Sequence, residues 1–357
     1  MLAFRYVAYH YLKYFIIILS ALVLFYVGFD YMAKAESLNL SANLLLIYLV
    51  YKAFFAIDTL LPISLVFAMI STKIYLIRSN ALVSFFSLGY SRTDILKPFI
   101  VISTLVTLLF ISLHGWSKFA RAVEYYNSIR TNAQYLNPTR DLFFTYKGKY
   151  IYFNKLLPLQ GKALDIRVFD VNDKTLQKVT VAQEARYKDG YWFIDNAQII
   201  IKPKTFTQKS AGISVQKVQN LKILKGFRPK ILDQVYEGKV NFTIGDAFDA
   251  IAILDDQNVN TTIIRGALYK IFAYPFFAPF VIIIIYFFVP ISVRFLNVTL
   301  FSFGAMLSTL LVWGVLYMLI ELTNHKTISA EAGVLAPIAL LGIIALWQWI
   351  THRSPQK

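Results

Sequence analysis

Apolar positions gather into runs of span length in both arms of the chain, while the residues between Ser117 and Arg265 are polar and read in short alternating stretches. A helix needs about 20 mostly apolar residues to cross a bilayer. The first run, Tyr14 to about Met32, predicts such a span. It is too long for the apolar region of a signal peptide. Before it, Met1 to Lys13 carries Arg5, His10, Lys13 and several tyrosines, which predicts a short amphipathic lead-in at the membrane surface. A second run extends from Asn43 to Ile77 and is interrupted by Lys52, Asp58 and Pro62. At about 1.5 Å per residue one helix of that length exceeds the hydrocarbon layer. The span is therefore read as Phe54 to Leu76, preceded by an interfacial piece. Further spans are predicted at Pro98 to about Leu113, Tyr269 to Val289, Leu300 to Ile320 and Val334 to Ile350. Six crossings put both termini on one side.

The middle reads as β. Leu142 to Phe153 gives two aromatic-rich strands around Lys147-Gly148, a hairpin signal. Ala163 to Val171 and Lys178 to Ala185 flank a turn at Asn172-Asp173. Ala185 to Tyr187 and Tyr191 to Ile194 flank Asp189-Gly190, a two-residue hairpin signal. Gln198 to Ile201 and Ile213 to Val218 add short strands, and Ile244 to Leu254 returns to helical periodicity. Short strands with regular turns predict an all-β sandwich or jellyroll. The division that follows is residues 1–116 (spans one to three), 117–265 (β domain with linking helices) and 266–357 (spans four to six).

Charge fixes the orientation. Of the 36 Lys and Arg, 23 lie in the middle segment with 14 of the 20 Asp and Glu, which leaves 13 and 6 for the two apolar arms. Around the short loops, Arg5 and Lys13, then Lys73, Arg78, Arg92 and Lys97, then Arg294, then His352, Arg353 and Lys357 fall on one side. The opposite short loops hold only Lys34 with Glu36, and Glu321, Lys326 and Glu331. Basic loops remain cytoplasmic, so both termini are expected inside and the β domain outside. Only 16% of residues are charged and mean hydropathy is +0.54, against about a quarter charged in a soluble domain. The net charge of +16 suits anionic lipid, and no nucleic-acid motif accompanies it.

Catalytic chemistry is poorly represented. With no cysteine there is no thiolate nucleophile or zinc-thiolate site. A phosphate-binding G-x-x-x-x-G-K-[ST] loop, a G-x-S-x-G elbow and an H-E-x-x-H pair are missing from the sequence, so nucleotide hydrolysis would belong to another chain. Asp30, Lys34, Lys52, His114 and Glu321 fall near the outer ends of spans, where reaching for the headgroups explains them. Asp58 lies deeper, with a basic neighbour such as Lys52 as its candidate partner.

The loop after span two, Ile77 to Pro98, is more informative. Over residues 79–90 it predicts a short amphipathic helix with Leu82, Phe85, Phe86 and Leu88 on its apolar face and Gly89 as its C-terminal stop. Ser91 then caps the next helix with Asp94 three positions on. Such a helix either rests on the membrane or docks as a knob in a groove of a partner.

Leu82-Val83 followed by Ser87-Leu88-Gly89-Tyr90-Ser91-Arg92 resembles the coupling-helix signature of the LptF/LptG (YjgP/YjgQ-type) permease family. Arg5-Tyr6, Leu61-Pro62, Ile166 to Asp170, Ala182 to Tyr187, Asp189 to Trp192 and Lys270-Ile271-Phe272 with Pro275 extend the likeness along nearly the whole chain. The start of span four and the region of Pro337 look more like the LptG branch. The resemblance implies a multi-pass protein of the bacterial inner membrane with six helices and an inserted periplasmic jellyroll. It implies a permease subunit without catalytic or metal-binding residues or cofactor, in an ABC transporter that extracts lipopolysaccharide. The implied partners are an LptB-like ATPase, a paralogous LptF/LptG permease and LptC/LptA-like bridge proteins. Lys34 matches a family position that contacts phosphorylated sugars, with Asp30 beside it, and Lys52, Arg265 and Lys270 are further basic candidates by location. Arg78, Leu82, Val83, Phe85, Phe86, Leu88, Gly89 and Arg92 are the implied ATPase contacts. Relatives usually carry a glutamate where this chain has Ala81, so docking is expected to lean on apolar packing or on Arg78 and Arg92. The competing function is a membrane-anchored scaffold whose β domain recruits envelope partners.

Overall fold

The computed structural model describes residues 2–352 except 36–37, 39, 131–138, 147, 158–159, 173–174, 204–211, 226–242, 255–260 and 289–296. Of the residues used above, Glu36, Lys147, Asp173, Val289, Arg294, Arg353 and Lys357 lie outside the described residues. The chain forms two compact units, one of Met1–Arg130, Phe242–Ile244 and Arg265–Lys357, the other of Thr131–Asn241 and Gly245–Ile264.

The first unit is helical. Its elements are α1 (Leu2–Lys34), α2 (Ala42–Arg78), α3 (Ala81–Ser87), α4 (Arg92–Leu113), α5 (Ser117–Ala120) and α6 (Ala122–Arg130). After the second unit, whose α7 spans Ile244–Leu254, come α8 (Thr262–Phe272), α9 (Phe277–Phe288), α10 (Val298–Asn324) and α11 (Ala336–Thr351). A single 3₁₀ turn, Tyr274–Phe276, joins α8 to α9, and a π-helical turn, Glu331–Leu335, opens α11. Among the described residues, six helical segments are long and apolar enough to cross a membrane, as the hydrophobic runs predict.

Two of these helices are longer than their predicted spans. The lead-in is continuous with span one as a 33-residue helix, because no proline or glycine interrupts Leu2 to Val27. Its Val7 and Tyr11 are fully buried in the bundle instead of lying on a surface. The piece before Phe54 likewise belongs to one 37-residue helix. At about 1.5 Å per residue α1 and α2 reach about 50 and 55 Å, well beyond the hydrocarbon layer. Pro62 lies inside α2 and offers no N–H to the carbonyl of Asp58. The linking helices α5 and α6 pack with the bundle, Phe119 against Phe54 and Phe110 and Tyr125 stacked on Tyr51, so the helical unit runs past residue 116 to Arg130.

The second unit holds one antiparallel sheet of β1 (Thr139–Tyr146), β2 (Lys149–Leu157), β3 (Lys162–Asn172), β4 (Thr175–Lys188), β5 (Tyr191–Ile201) and β6 (Ser214–Ile223). The predicted strands at 178–185 and 185–187 are one strand, as are those at 191–194 and 198–201. Strand order is sequential among the described residues, from β1 to β6. The β4–β5 turn has Asp189 at φ 50° and Gly190 at φ 83°, the positive pair a type I′ hairpin requires. Alternate residues, among them Ile151, Phe153, Ile166, Trp192 and Ile194, form its core. Asp141, Asp165 and Asn220 also have positive φ, and ladder pairing lapses at Asp141/Asn154, Asn154/Asp165 and Asp165/Gln183. These short polar residues tolerate the left-handed region, so the breaks lie side by side as a crease across the sheet.

Candidate lipid and coupling sites

Two i,i+4 pairs build the first site. Asp30 and Lys34 stand one turn apart at the C-terminal end of α1, and Tyr48 and Lys52 one turn apart on α2. They converge on the Asp30 carboxylate: Lys34 Nζ donates at 2.6 Å, the Tyr48 hydroxyl at 2.7 Å, and Lys52 Nζ lies at 3.1 Å. The two lysines differ in setting. The Lys52 side chain is 5% exposed and its ammonium sits 4.3 Å from the Tyr126 ring centroid, with Phe55 and Tyr26 also in range. Burial raises the Tyr126 phenol above its ordinary value, which keeps the ring neutral beneath the cation. The Lys34 side chain is 31% exposed. Lys34 is therefore the more exposed arm of the cluster, while Lys52 balances Asp30 from within. Tyr48 and Tyr126 escaped the sequence reading. The 48/52 spacing, matching 30/34, was the available signal.

Arg265 and Lys270 are not drawn into this cluster. Arg265 pairs with Glu331 at 2.7 Å, linking α8 to the π-helical turn, and Tyr269 donates to the same carboxylate at 3.4 Å. Lys270 is half-buried in the last turn of α8. Asp58 pairs with His114 Nε2 at 2.9 Å and not with Lys52, contrary to the sequence expectation, because Lys52 sits on the face of α2 that meets Asp30. The other ring nitrogen of His114 faces the Phe110 carbonyl at 3.1 Å, so that histidine is buried between two acceptors.

The second site is the helix that follows α2. Ser79 and Asn80 make the link, Asn80 at φ 56° and the Ser79 hydroxyl donating back to the Tyr75 carbonyl at 2.8 Å. α3 ends at Leu88 in a Schellman motif: Gly89, at φ 86°, donates to the Phe86 carbonyl and Tyr90 to the Phe85 carbonyl. The Phe85 and Tyr90 rings meet edge to face at 6.0 Å, the apolar contact that accompanies this motif. Ser91 then accepts from Asp94 N at 3.1 Å while Asp94 accepts from Ser91 N at 3.1 Å, completing the expected capping box. Ser91→Ala is expected to lower stability by about 1 kcal/mol. Chemical or thermal unfolding checks it, and no change would mean that the α3–α4 corner is held from elsewhere.

The apolar face of α3 is divided. Leu82 is 1% exposed, and Phe85 and Phe86 are half-buried against the bundle, Phe85 with Tyr6 of α1 at 5.9 Å. Val83 at 42% and Leu88 at 74% point away, with Arg78 exposed and Arg92 half-buried beside them. The knob is thus anchored by Leu82, Phe85 and Phe86 and offers Val83 and Leu88. The helical period was legible, but the side bound by the protein itself was not.

Lys73, counted among the basic residues around the loop after span two, is buried within α2 at 3% exposure, its Nζ donating to the Tyr286 carbonyl of α9.

Comparison with curated proteins gives no match. The family described as the lipopolysaccharide export system permease LptF/LptG matches residues 5–351, nearly the whole chain. That match agrees with six membrane-length helices and an inserted antiparallel β domain, and the chain belongs to the LptF/LptG permease family.

Proposed function

We propose that the chain is one half of a two-permease ABC transporter that lifts lipopolysaccharide from the inner membrane, driven by an LptB-type ATPase that docks on α3. The observation that carries this reading is the construction of α3. It is a single capped helix, fixed to α1 and the bundle on one side, with Val83 and Leu88 presented on the other. Exposed apolar side chains on a rigid helix suit insertion into a groove of a partner. Membrane-surface burial is the competing explanation, and a motor-binding assay separates the two.

In this reading Lys34 meets lipid phosphate at the outer ends of the spans, through a charge-assisted bond. Both termini face the cytoplasm and the β domain faces the periplasm, where it hands the lipid to LptC/LptA-like bridge proteins. Leu88→Glu is expected to reduce co-purification of the ATPase at least about tenfold, as loss of a buried apolar anchor of 1.5–3 kcal/mol requires. Assembly with the second permease should be unaffected. Normal ATPase recovery with Leu88→Glu would refute docking at α3.

A further inference from the structure

A lysine in the apolar interior of a membrane-length helix is expensive and is retained where it does something. Lys73 lies five residues before the end of α2 at Arg78, and among the described residues no carboxylate pairs with it. Its compensation comes from another helix instead. Nζ donates to the Tyr286 carbonyl at 2.5 Å and lies 3.5 Å from the centroid of the same residue's ring.

Tyr286 stands in the last turn of α9, where the final carbonyls have no donor within the helix and the dipole is negative. Lys73 therefore acts as a C-cap supplied from outside the helix, with the aromatic face beneath it. Such a cation is held, among the described residues, by the position of α9. Were α9 to slip along α2, the ammonium would lose carbonyl and ring together. The surroundings transmit the same constraint: Tyr286 meets Phe99 of α4 at 6.0 Å, and Phe99 meets Tyr11 of α1 at 5.0 Å.

This contact stands between the knob and a helix beyond it. A load on α3 passes through Leu82 and the Ser79–Asn80 link into the last turns of α2, and Lys73 is the polar tie from those turns to α9. We infer that Lys73 is a positioning residue that transmits displacement of α3 to α9, so that nucleotide turnover moves the spans. The inference rests on the reading of α3 as the motor-binding knob.

The test uses the complete transporter in proteoliposomes containing lipopolysaccharide, with ATP hydrolysis and lipid release to an acceptor measured together. Lys73→Met, similar in length and uncharged, is expected to assemble and hydrolyse ATP while lipid released per ATP falls about tenfold, within the usual range of coupling free energies. Because the chain has no cysteine, Lys73→Cys places one thiol there. Its thiolate attacks the sulfenyl sulfur of aminoethyl methanethiosulfonate and expels methanesulfinate, leaving an aminoethyl disulfide that restores an ammonium. That treatment should recover release per ATP in the same preparation. Unchanged release per ATP in Lys73→Met overturns the inference. So does a Lys73→Cys protein whose yield of release ignores the restored charge, or a Lys73→Met and Lys73→Cys pair that fail only in assembly, which would make the lysine purely structural. If the α3 reading itself is wrong, Leu88→Glu will leave ATPase recovery normal, a result independent of Lys73.

Discussion

Asp30→Ala is expected to destabilise the helical unit by about 3 kcal/mol or more, the range for removing one partner of a buried ion pair. The reason is an asymmetry in the cluster. Asp30 is the hub, accepting from Lys34, Tyr48 and Lys52. Without it, Lys52 keeps three aromatic rings but no anion, at 5% exposure. Lys52→Met leaves Asp30 still bonded to Lys34 and Tyr48, so its loss should be about 1 kcal/mol. The double substitution should then be more stable than Asp30→Ala alone, since it removes the orphaned cation. Lys34→Ala should change stability by no more than about 1 kcal/mol, as the more exposed arm of the pair, yet impair lipid release if it meets phosphate. Unfolding in detergent for all four variants, with lipid release for Lys34→Ala, measures the whole pattern. Equal destabilisation by Asp30→Ala and Lys34→Ala would show that Lys52 is solvated and that the cluster is not built as described.

The pattern of what sequence reveals follows from which interactions are local. The six spans, the hairpin at Asp189-Gly190 and the Ser91–Asp94 capping box all depend on residues within a few positions of one another, and each was readable. So was the family resemblance, carried by short motifs in order. Side-chain pairing across the bundle was not, because periodicity does not say which helix faces which. Asp58 meets His114, 56 positions away, and Lys52 meets Asp30 across the α1–α2 turn. Nothing local to Lys73 shows its partner, because the carbonyl that holds it lies 213 positions away. The sheet was legible as strands but not in its strand order, since alternation fixes which residues face inward and leaves that order open. The apolar stripe of α3 likewise says that Leu82, Phe85, Phe86 and Leu88 share a tendency, not which of them the protein keeps for itself.

Gly333→Ala should rank with Asp30→Ala in effect, for a steric reason. In membranes, helices associate through small residues that allow close approach, because lipid removes most of the hydrophobic drive between them. Here α8, α10 and the π-helical turn meet at Thr323, which is 1% exposed and donates to the Leu319 carbonyl at 3.0 Å. A Cβ on Gly333 would stand far inside contact distance of the Thr323 hydroxyl and 3.0 Å from both the Leu319 carbonyl and Ile328. On Gly266 of α8 it would come to 2.9 Å of the Thr323 methyl. Backbone at Leu319 cannot yield cheaply, so Gly333→Ala is expected to lose about 3 kcal/mol, the upper end for overpacking, and Gly266→Ala less. The same geometry predicts different rescues. Thr323→Ser removes the methyl and should restore Gly266→Ala almost fully. Thr323→Ala removes the hydroxyl as well and should restore Gly333→Ala only in part, because the Leu319 carbonyl still blocks the new methyl. Since Arg265 and Glu331 join α8 to the same turn, a loosened crossing should also weaken that ion pair. Unfolding midpoints for the single and double variants decide it. Full rescue of Gly333→Ala by Thr323→Ala would show that the backbone has room to move, and that the π-helical turn is not wedged where the structure puts it.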